Sequence, residues 1–154
     1  MPIDRRRMLK FLVVGFAFSV APLSADAAAA SSILVFKDPT CGCCSNWVKH
    51  IEANGFSVTV KALHDLDALK RSLGIPDALR SCHTATIAGY VLEGHVPARE
   101  IRRLLVEKPS GRGLAVPGMP VGSPGMEVDG ETAGPYEVYL IGPDGLYDSF
   151  ATYR

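Results

Sequence analysis

Apolar runs of two kinds alternate along the chain, and this alternation limits the folds that it can adopt. The short run 33–37 and the alternating segment 57–63 are typical of β-strands, and each precedes a stretch with apolar residues at helical spacing. Two further strand-like runs, 84–87 and 90–92, precede a third helical stretch that opens at Pro97. The order is therefore strand, helix, strand, helix, strand, strand, helix.

That order predicts an α/β domain of the thioredoxin-like class, with a central mixed sheet flanked by helices. Parallel neighbouring strands require a crossover connection, and such crossovers are right-handed, so few arrangements remain. In this class the first helix, expected here from about 43 to 54, carries its cysteines at its N-terminus. The segment that enters the third strand lies beside that end of the helix. The order of elements therefore places residues 81–84 close to residues 41–44.

The C-terminal part of the chain has a different character. Residues 109–135 show no periodicity and hold seven glycines and five prolines, so we expect one long Gly/Pro loop. Beyond the loop, strand-like runs at 136–141 and 146–150 flank the turn sequence Gly142-Pro143-Asp144-Gly145. This arrangement predicts a C-terminal β-hairpin.

The N-terminal residues 1–27 have the three parts of an export signal peptide. A basic start at 5–7 precedes the apolar run 11–21, and Ala25-Asp26-Ala27 matches an A-x-A cleavage site. The basic start also resembles the twin-arginine (Tat) consensus, and an ordinary Sec signal is the alternative. We therefore expect a cleaved signal peptide and a single mature domain over 28–154. The mature domain is expected in the periplasm, with no stable membrane span after cleavage.

Charge and motifs exclude several function classes. The chain has 16 Lys and Arg against 16 Asp and Glu, and no basic cluster lies beyond the first ten residues. This balance removes the electrostatic attraction that nucleic-acid binding requires. The sequence also lacks a glycine-rich phosphate loop, a Ser-His-Asp order and a paired carboxylate motif. No catalytic residue of these kinds is predicted.

Three of the four cysteines lie within Cys41-Gly42-Cys43-Cys44, and the fourth is Cys82. Thiolates are stabilised at a helix N-terminus, and soft thiolate ligands select Cu(I) over hard cations. Three sulfurs within four residues can bridge several Cu(I) ions, whereas a structural zinc site needs two separated ligand pairs. We therefore expect all four cysteines to bind copper. The alternative is one disulfide between Cys41 and Cys44 with two idle cysteines.

Three further residues can add donor atoms to this site. His83 follows Cys82 and offers an imidazole, although neighbouring side chains in an extended segment point in opposite directions. Met119 and Met126 lie in the glycine-rich loop, where they either bind copper through their thioethers or pin the loop as hydrophobic plugs. The remaining histidines are expected to be solvated or hydrogen-bonded away from the site: His50, His64 and His95.

Several sequence blocks together resemble the CopG-type periplasmic copper-resistance proteins, which are also described as predicted metal-binding proteins. The blocks are Cys41-Gly-Cys-Cys with Trp47, Gly74-Ile-Pro, Ser81-Cys-His-Thr-Ala, Gly89-Tyr-Val-Leu-Glu-Gly-His-Val-Pro-Ala98, and Gly113-Leu-Ala-Val-Pro-Gly-Met-Pro-Val-Gly-Ser-Pro-Gly-Met-Glu127. The resemblance runs from about 33 to 150. It implies a thioredoxin-like domain that binds copper through its CGCC motif and Cys82. It also supports a role for His83 and the methionine loop, and it makes other periplasmic copper-handling proteins the expected partners.

Two function classes remain open at this point. The first is a protein that binds Cu(I) for copper resistance, and the second is a thiol–disulfide oxidoreductase that uses Cys41 and Cys44. The fold suits both classes. Thioredoxin-like oxidoreductases resemble one another in having a proline just before the third strand. In this sequence His83 and Thr84 occupy that position, and the proline is absent. Two-cysteine exchange also has no use for the third cysteine of the motif. Both features favour copper, and a copper-linked redox activity lies between the two classes.

Overall fold

The computed structural model describes residues 32–154, and the predicted export signal lies outside this part of the chain. Seven strands, three α-helices and one short 3-10 helix are present in residues 32–154. In chain order they are β1 (Ser32–Lys37), α1 (Gly42–Ala53), β2 (Ser57–Ala62), α2 (Asp67–Ser72), the 3-10 helix (Asp77–Leu79), β3 (His83–Ile87), β4 (Tyr90–Glu93), α3 (Ala98–Glu107), β5 (Gly113–Ala115), β6 (Tyr136–Ile141) and β7 (Tyr147–Tyr153).

All seven strands form one mixed sheet in the order β2-β1-β3-β4-β5-β6-β7. The pairs β1–β2 and β4–β5 are parallel, and the other neighbouring strands are antiparallel. The predicted mixed α/β sheet and the predicted order of its first seven elements are confirmed. The narrower assignment to the thioredoxin-like class stays a prediction.

The helices lie on both faces of the sheet. Trp47 and Ile51 of α1 are fully buried in one hydrophobic cluster together with Leu104 of α3 and Val35 of β1. Apolar residues at helical spacing give α1 this single buried side. On the opposite face, Lys70 of α2 donates hydrogen bonds to side chains of β3 and β4. The main apolar cluster therefore lies between the sheet and the helices α1 and α3, and the opposite face contains a buried Lys70–Glu93 ion pair.

The segment 109–135 is not the uninterrupted loop that the sequence predicts. Strand β5 lies within it and joins β4 to the C-terminal hairpin of β6 and β7. A three-residue strand is too short to show periodicity, so composition alone gives no sign of it. Gly113 is required at its start, because a Cβ there would lie 1.8 Å from the carbonyl oxygen of Val91. The hairpin itself is confirmed.

Among residues 32–154, no helix has both the length and the apolar character needed to cross a membrane.

Candidate metal centre

The CGCC motif lies at the N-terminus of α1. Cys41 occupies the N-cap position, and its sulfur accepts a hydrogen bond from the backbone nitrogen of Cys44 at 3.4 Å. The preceding turn is closed by Asp38, whose carbonyl oxygen accepts from the backbone nitrogen of Cys41 at 3.1 Å. Cys41 and Cys44 form a disulfide, which is the alternative that the sequence leaves open. Cys43 and Cys82 are free thiols.

The two free thiols, of Cys43 and Cys82, lie close to each other and to the disulfide. The Sγ atom of Cys43 is 3.9 Å from that of Cys82 and 3.5 Å from that of Cys41. The Cys44 sulfur is 3.8 Å from the carbonyl oxygen of Cys82. All four sulfur atoms lie within 4.8 Å of one another. The expectation that the segment before β3 lies beside the CGCC motif is therefore confirmed.

The structure places His95 next to Cys82, so the prediction that this histidine lies away from the site is wrong. Its side chain is fully buried, and its Nε2 atom lies 3.1 Å from the Cys82 sulfur. Its Nδ1 atom lies 2.8 Å from the carbonyl oxygen of Pro124. Because a carbonyl oxygen can only accept, Nδ1 donates this bond and Nε2 presents its lone pair to the Cys82 sulfur.

The register of the β3–β4 hairpin is the signal that could have found His95. Thr84 lies opposite Glu93 in this antiparallel pair. Counting two residues outward along each strand brings Cys82 opposite His95 at the open end of the hairpin. The apolar pattern of the sequence does not specify this register, and His95, just before Pro97, is therefore predicted to be a turn residue.

His83 contributes a second buried imidazole. Its Nδ1 atom is 3.4 Å from the Cys82 sulfur, and its ring centroid is 4.4 Å from that of Trp47. The Nε2 atom of His83 is buried and has no hydrogen-bond partner. Burial lowers the pKa of His83 well below its usual value and also lowers the pKa of His95. Both rings are therefore neutral at pH 7 and can act as acceptors or metal ligands.

The Cys82 thiol is protonated in the absence of metal. Burial, followed by the nearby Cys43 sulfur, raises the pKa of Cys82 to about 12. A metal ion that binds this sulfur must therefore displace its proton. The thiol is held as a neutral donor until a cation takes the place of that proton.

Of the two loop methionines, the structure brings Met119 to the cysteines. The Met119 thioether lies 3.9 Å from the Cys43 sulfur, and about half of the residue is exposed to solvent. The neighbouring Gly118 carbonyl oxygen accepts a hydrogen bond from the Ser81 hydroxyl, which ties this part of the loop to the segment before β3. Met126 closes the loop through its backbone: its nitrogen donates to the Ser123 carbonyl oxygen at 2.8 Å, and its carbonyl oxygen accepts from the Gly122 nitrogen at 3.1 Å.

The loop packs directly on α1. Gly125 has a φ of +84°, and a Cβ at this position would lie 2.5 Å from the backbone nitrogen of Trp47 and 3.0 Å from the carbonyl oxygen of Cys43. Only glycine allows both this backbone conformation and this close approach. The adjacent Pro124 provides the carbonyl oxygen that orients His95. The loop therefore covers the site as well as supplying Met119.

Two solved structures resemble the chain over most of its length. One, described as "Copper resistance protein copG- Form 2", is 47% identical with a TM-score of 0.76, and the match covers 80% of this chain and 98% of that chain. The other, "Copper resistance protein copG- Form 1", is 48% identical with a TM-score of 0.75 and coverage of 79% and 96%. The chain belongs to the CopG family of copper resistance proteins.

A family model described as "Protein of unknown function, DUF411" matches residues 79–126. That stretch includes Cys82, His95 and both loop methionines, but not the CGCC motif. No curated protein matches the chain. The resemblance of the sequence to the CopG family is therefore confirmed by structures of nearly full length.

Two histidines of this CopG-family chain lie outside the site, as the sequence predicts. The Nε2 atom of His50 accepts a hydrogen bond from the backbone nitrogen of Ala98 at 3.3 Å. His64 is largely exposed, with its Nδ1 atom 3.4 Å from a carboxylate oxygen of Asp38. Neither residue belongs to the clusters of Cys and His donor atoms within residues 32–154 that could hold a metal ion.

The donor atoms of the two groups in residues 32–154 are cysteine sulfurs and imidazole nitrogens, without a carboxylate. One group contains the four cysteines, and the other contains Cys82 with His83 and His95. Sulfur and imidazole nitrogen are ligands for soft and borderline cations, whereas Ca²⁺ and Mg²⁺ require oxygen ligands. Cys82 belongs to both groups, so it is the centre of the donor set. The residues present therefore fit a soft or borderline cation such as copper.

Proposed function

We propose that this protein binds copper as Cu(I) in the periplasm and thereby contributes to copper resistance. One observation carries the proposal: the Cys82 sulfur lies within 4 Å of the Cys43 sulfur, of the His95 imidazole and of the imidazole of its chain neighbour His83. Membership of the CopG family supports copper as the bound ion. The thioether of Met119, 3.9 Å from Cys43, adds a soft donor at the exposed rim.

Cys43, Cys82, His95 and Met119 have different roles in the proposed site. Cys43 and Cys82 bind Cu(I) as thiolates, and the proton of Cys82 leaves to solvent when the ion binds. His95 offers Nε2, and the Pro124 carbonyl oxygen fixes the ring in the required tautomer and orientation. In this proposal, copper reaches the site past the exposed side chain of Met119, and other periplasmic copper-handling proteins are the partners that deliver it.

The number of copper ions that the site binds depends on whether the Cys41–Cys44 disulfide is intact or reduced. Two electrons and two protons from a dithiol reductant convert the Cys41–Cys44 disulfide into two thiols. Both sulfurs lie within 4.8 Å of the two thiols that are already free. Because thiolates can be shared between metal ions, the four-cysteine form binds more than one Cu(I). The disulfide form, with two free thiols, binds fewer ions.

Anaerobic titration of the mature domain with Cu(I) tests the proposal. Protein treated with a dithiol reductant, which is then removed, should bind more than one copper ion per monomer, and untreated protein should bind fewer. Competition with Zn²⁺ should leave copper in place. A capacity of one or less in reduced monomer, or a preference for Zn²⁺, would contradict the proposal.

A thiol–disulfide oxidoreductase is the second candidate function, and the Cys41–Cys44 disulfide at the N-terminus of α1 is the observation that favours it. In that function Cys41 and Cys44 exchange electrons with a protein partner, and Cys82 is dispensable. A Cys82→Ser variant would then keep its disulfide reductase activity. Under the copper proposal, we expect little reductase activity with either the wild type or this variant.

We further propose that the protein is exported by the twin-arginine route and is cleaved after residue 27. Support comes from the basic start, the apolar run and the A-x-A site in the sequence. Replacing Arg5 and Arg6 by Lys should then trap the precursor in the cytoplasm. Unchanged export of this variant would indicate the Sec route.

A further inference from the structure

A buried ion pair lies on the sheet face opposite His83. Lys70 of α2 and Glu93 of β4 are 3% and 0% exposed, and the Lys70 ammonium contacts a Glu93 carboxylate oxygen. Lys70 also donates to the carbonyl oxygen of Ser81 at 3.1 Å and to the hydroxyl of Thr84 at 3.0 Å. Outside the pair, the hydrogen bonds of the Lys70 ammonium group therefore both end on the segment 81–84.

Glu93 binds the same two residues. One carboxylate oxygen accepts from the backbone nitrogen of Ser81 at 2.6 Å, and the other accepts from the Thr84 hydroxyl at 2.7 Å. Strand β3 begins only at His83, so Ser81 precedes the strand ladder. The carboxylate of Glu93 satisfies a backbone N–H that no strand partner reaches. The ion pair thus holds the residue before Cys82 and the second residue after it.

We propose that the Lys70–Glu93 pair is a positioning device that holds the Cys82 thiol within reach of Cys43. The inference rests on the proposed function, since it assigns these two residues to the geometry of the same site. Neither residue contacts a cysteine sulfur, and both act through the backbone of the segment between them. Ser81 and Cys82 precede β3, and outside the ion pair Ser81 is bound through its hydroxyl to the Gly118 carbonyl oxygen of the loop.

Stabilisation of the fold alone does not explain why a lysine and a glutamate, and not two apolar residues, are buried at positions 70 and 93. Burying two charges carries a desolvation cost that their attraction often only balances, so apolar residues of similar volume can replace such a pair without loss of stability. Lys70 and Glu93 differ from an apolar pair in their four directed bonds to Ser81 and Thr84. Those bonds are what the positioning role requires.

The test uses protein without copper, in the form with the Cys41–Cys44 disulfide. Phenylarsine oxide, a trivalent arsenical that binds two neighbouring thiols at once, is titrated against Cys43 and Cys82, and the adduct is counted by mass spectrometry. The double variant Lys70→Met/Glu93→Met removes the directed bonds without leaving a lone buried charge. We expect its arsenical affinity to fall by about tenfold or more relative to the wild type.

Glu100→Gln is the matched control, because Glu100 is also 0% exposed but bonds to Arg99 and Tyr153, away from the cysteines. It should capture the arsenical as the wild type does. A folded double variant with wild-type affinity would overturn the inference. If the double variant does not fold, the single variant Glu93→Gln decides: weakened capture supports the inference, and wild-type capture overturns it.

The same measurement separates this inference from the proposed function. If the wild type binds the arsenical but not Cu(I), the proposed function fails while the comparison of variants still tests the positioning role. If the wild type binds Cu(I) and the variants capture the arsenical as well as it does, only the positioning role fails.

Discussion

The Nε2 atom of His95 lies 3.1 Å from the Sγ atom of Cys82, although the two residues are 13 positions apart in the chain. The antiparallel pairing of β3 with β4 explains this proximity, since Thr84 lies opposite Glu93 and the next residues outward converge. The Pro124 carbonyl oxygen then fixes the imidazole tautomer. The hairpin and the loop therefore build half of the proposed site, and α1 builds the other half.

Replacing His95 by Gln should weaken Cu(I) binding. The change removes the imidazole nitrogen that faces Cys82, and we expect the affinity to fall by at least about tenfold, the loss that follows even from removing a partner that supports a ligand. Competition with a chromophoric Cu(I) chelator measures the change. His50→Gln is the control, because His50 bonds to Ala98 instead. Equal affinities for the two variants would exclude His95 as a ligand.

The two loop methionines should behave differently. Met119→Leu conserves volume and apolar character but removes the thioether that lies 3.9 Å from Cys43, so copper affinity should fall. Met126→Leu should leave the affinity unchanged. Thermal unfolding of the copper-free protein should change little in both. A loss of stability without a loss of affinity in Met119→Leu would make this residue a hydrophobic plug.

A chain with both Cys41 and Cys44 replaced by Ser should lose the response to reductant. It keeps the two free thiols of the disulfide form, so its copper capacity should equal that of the untreated wild type. Titration of this variant with and without prior reduction should give the same stoichiometry. A capacity that matches the reduced wild type would show that the CxxC sulfurs are not ligands.

Gly125→Ala should destabilise the domain more than Gly130→Ala does. Both glycines have a φ near +83°, so each substitution carries a cost of about 1 kcal/mol for the left-handed backbone. At Gly125 the new methyl group also collides with the backbone of Trp47, whereas nothing lies within 4 Å at Gly130. We expect an additional loss of about 1–3 kcal/mol in the free energy of unfolding, measured in urea. Equal losses would mean that the loop moves away from α1 without cost.

Local patterns were sufficient to predict much of this fold. Apolar runs and turn residues predicted the strands, the helices and the C-terminal hairpin, and the order of these elements placed Cys82 beside the CGCC motif. Strand β5 escaped prediction because its three residues are too few to carry a pattern.

Three residues, His95, Lys70 and Glu93, could not be predicted from the sequence for a different physical reason. His95 depends on the register of a hairpin, which the apolar pattern alone does not specify. Lys70 and Glu93 are charged residues that composition predicts to be exposed, and only the three-dimensional structure shows them buried against each other. Which state the CGCC motif adopts, disulfide or thiolate, depends on redox conditions and is not encoded in the spacing.

The most direct test of the copper site is X-ray absorption at the copper edge of the reduced, Cu(I)-loaded wild type and of its Cys82→Ser variant. Serine keeps a similar size but removes the sulfur that belongs to both groups of donors. We expect metal loading to drop sharply in the variant, and the copper that remains to have fewer sulfur neighbours. Unchanged loading with an unchanged number of sulfur neighbours would contradict a site centred on Cys82.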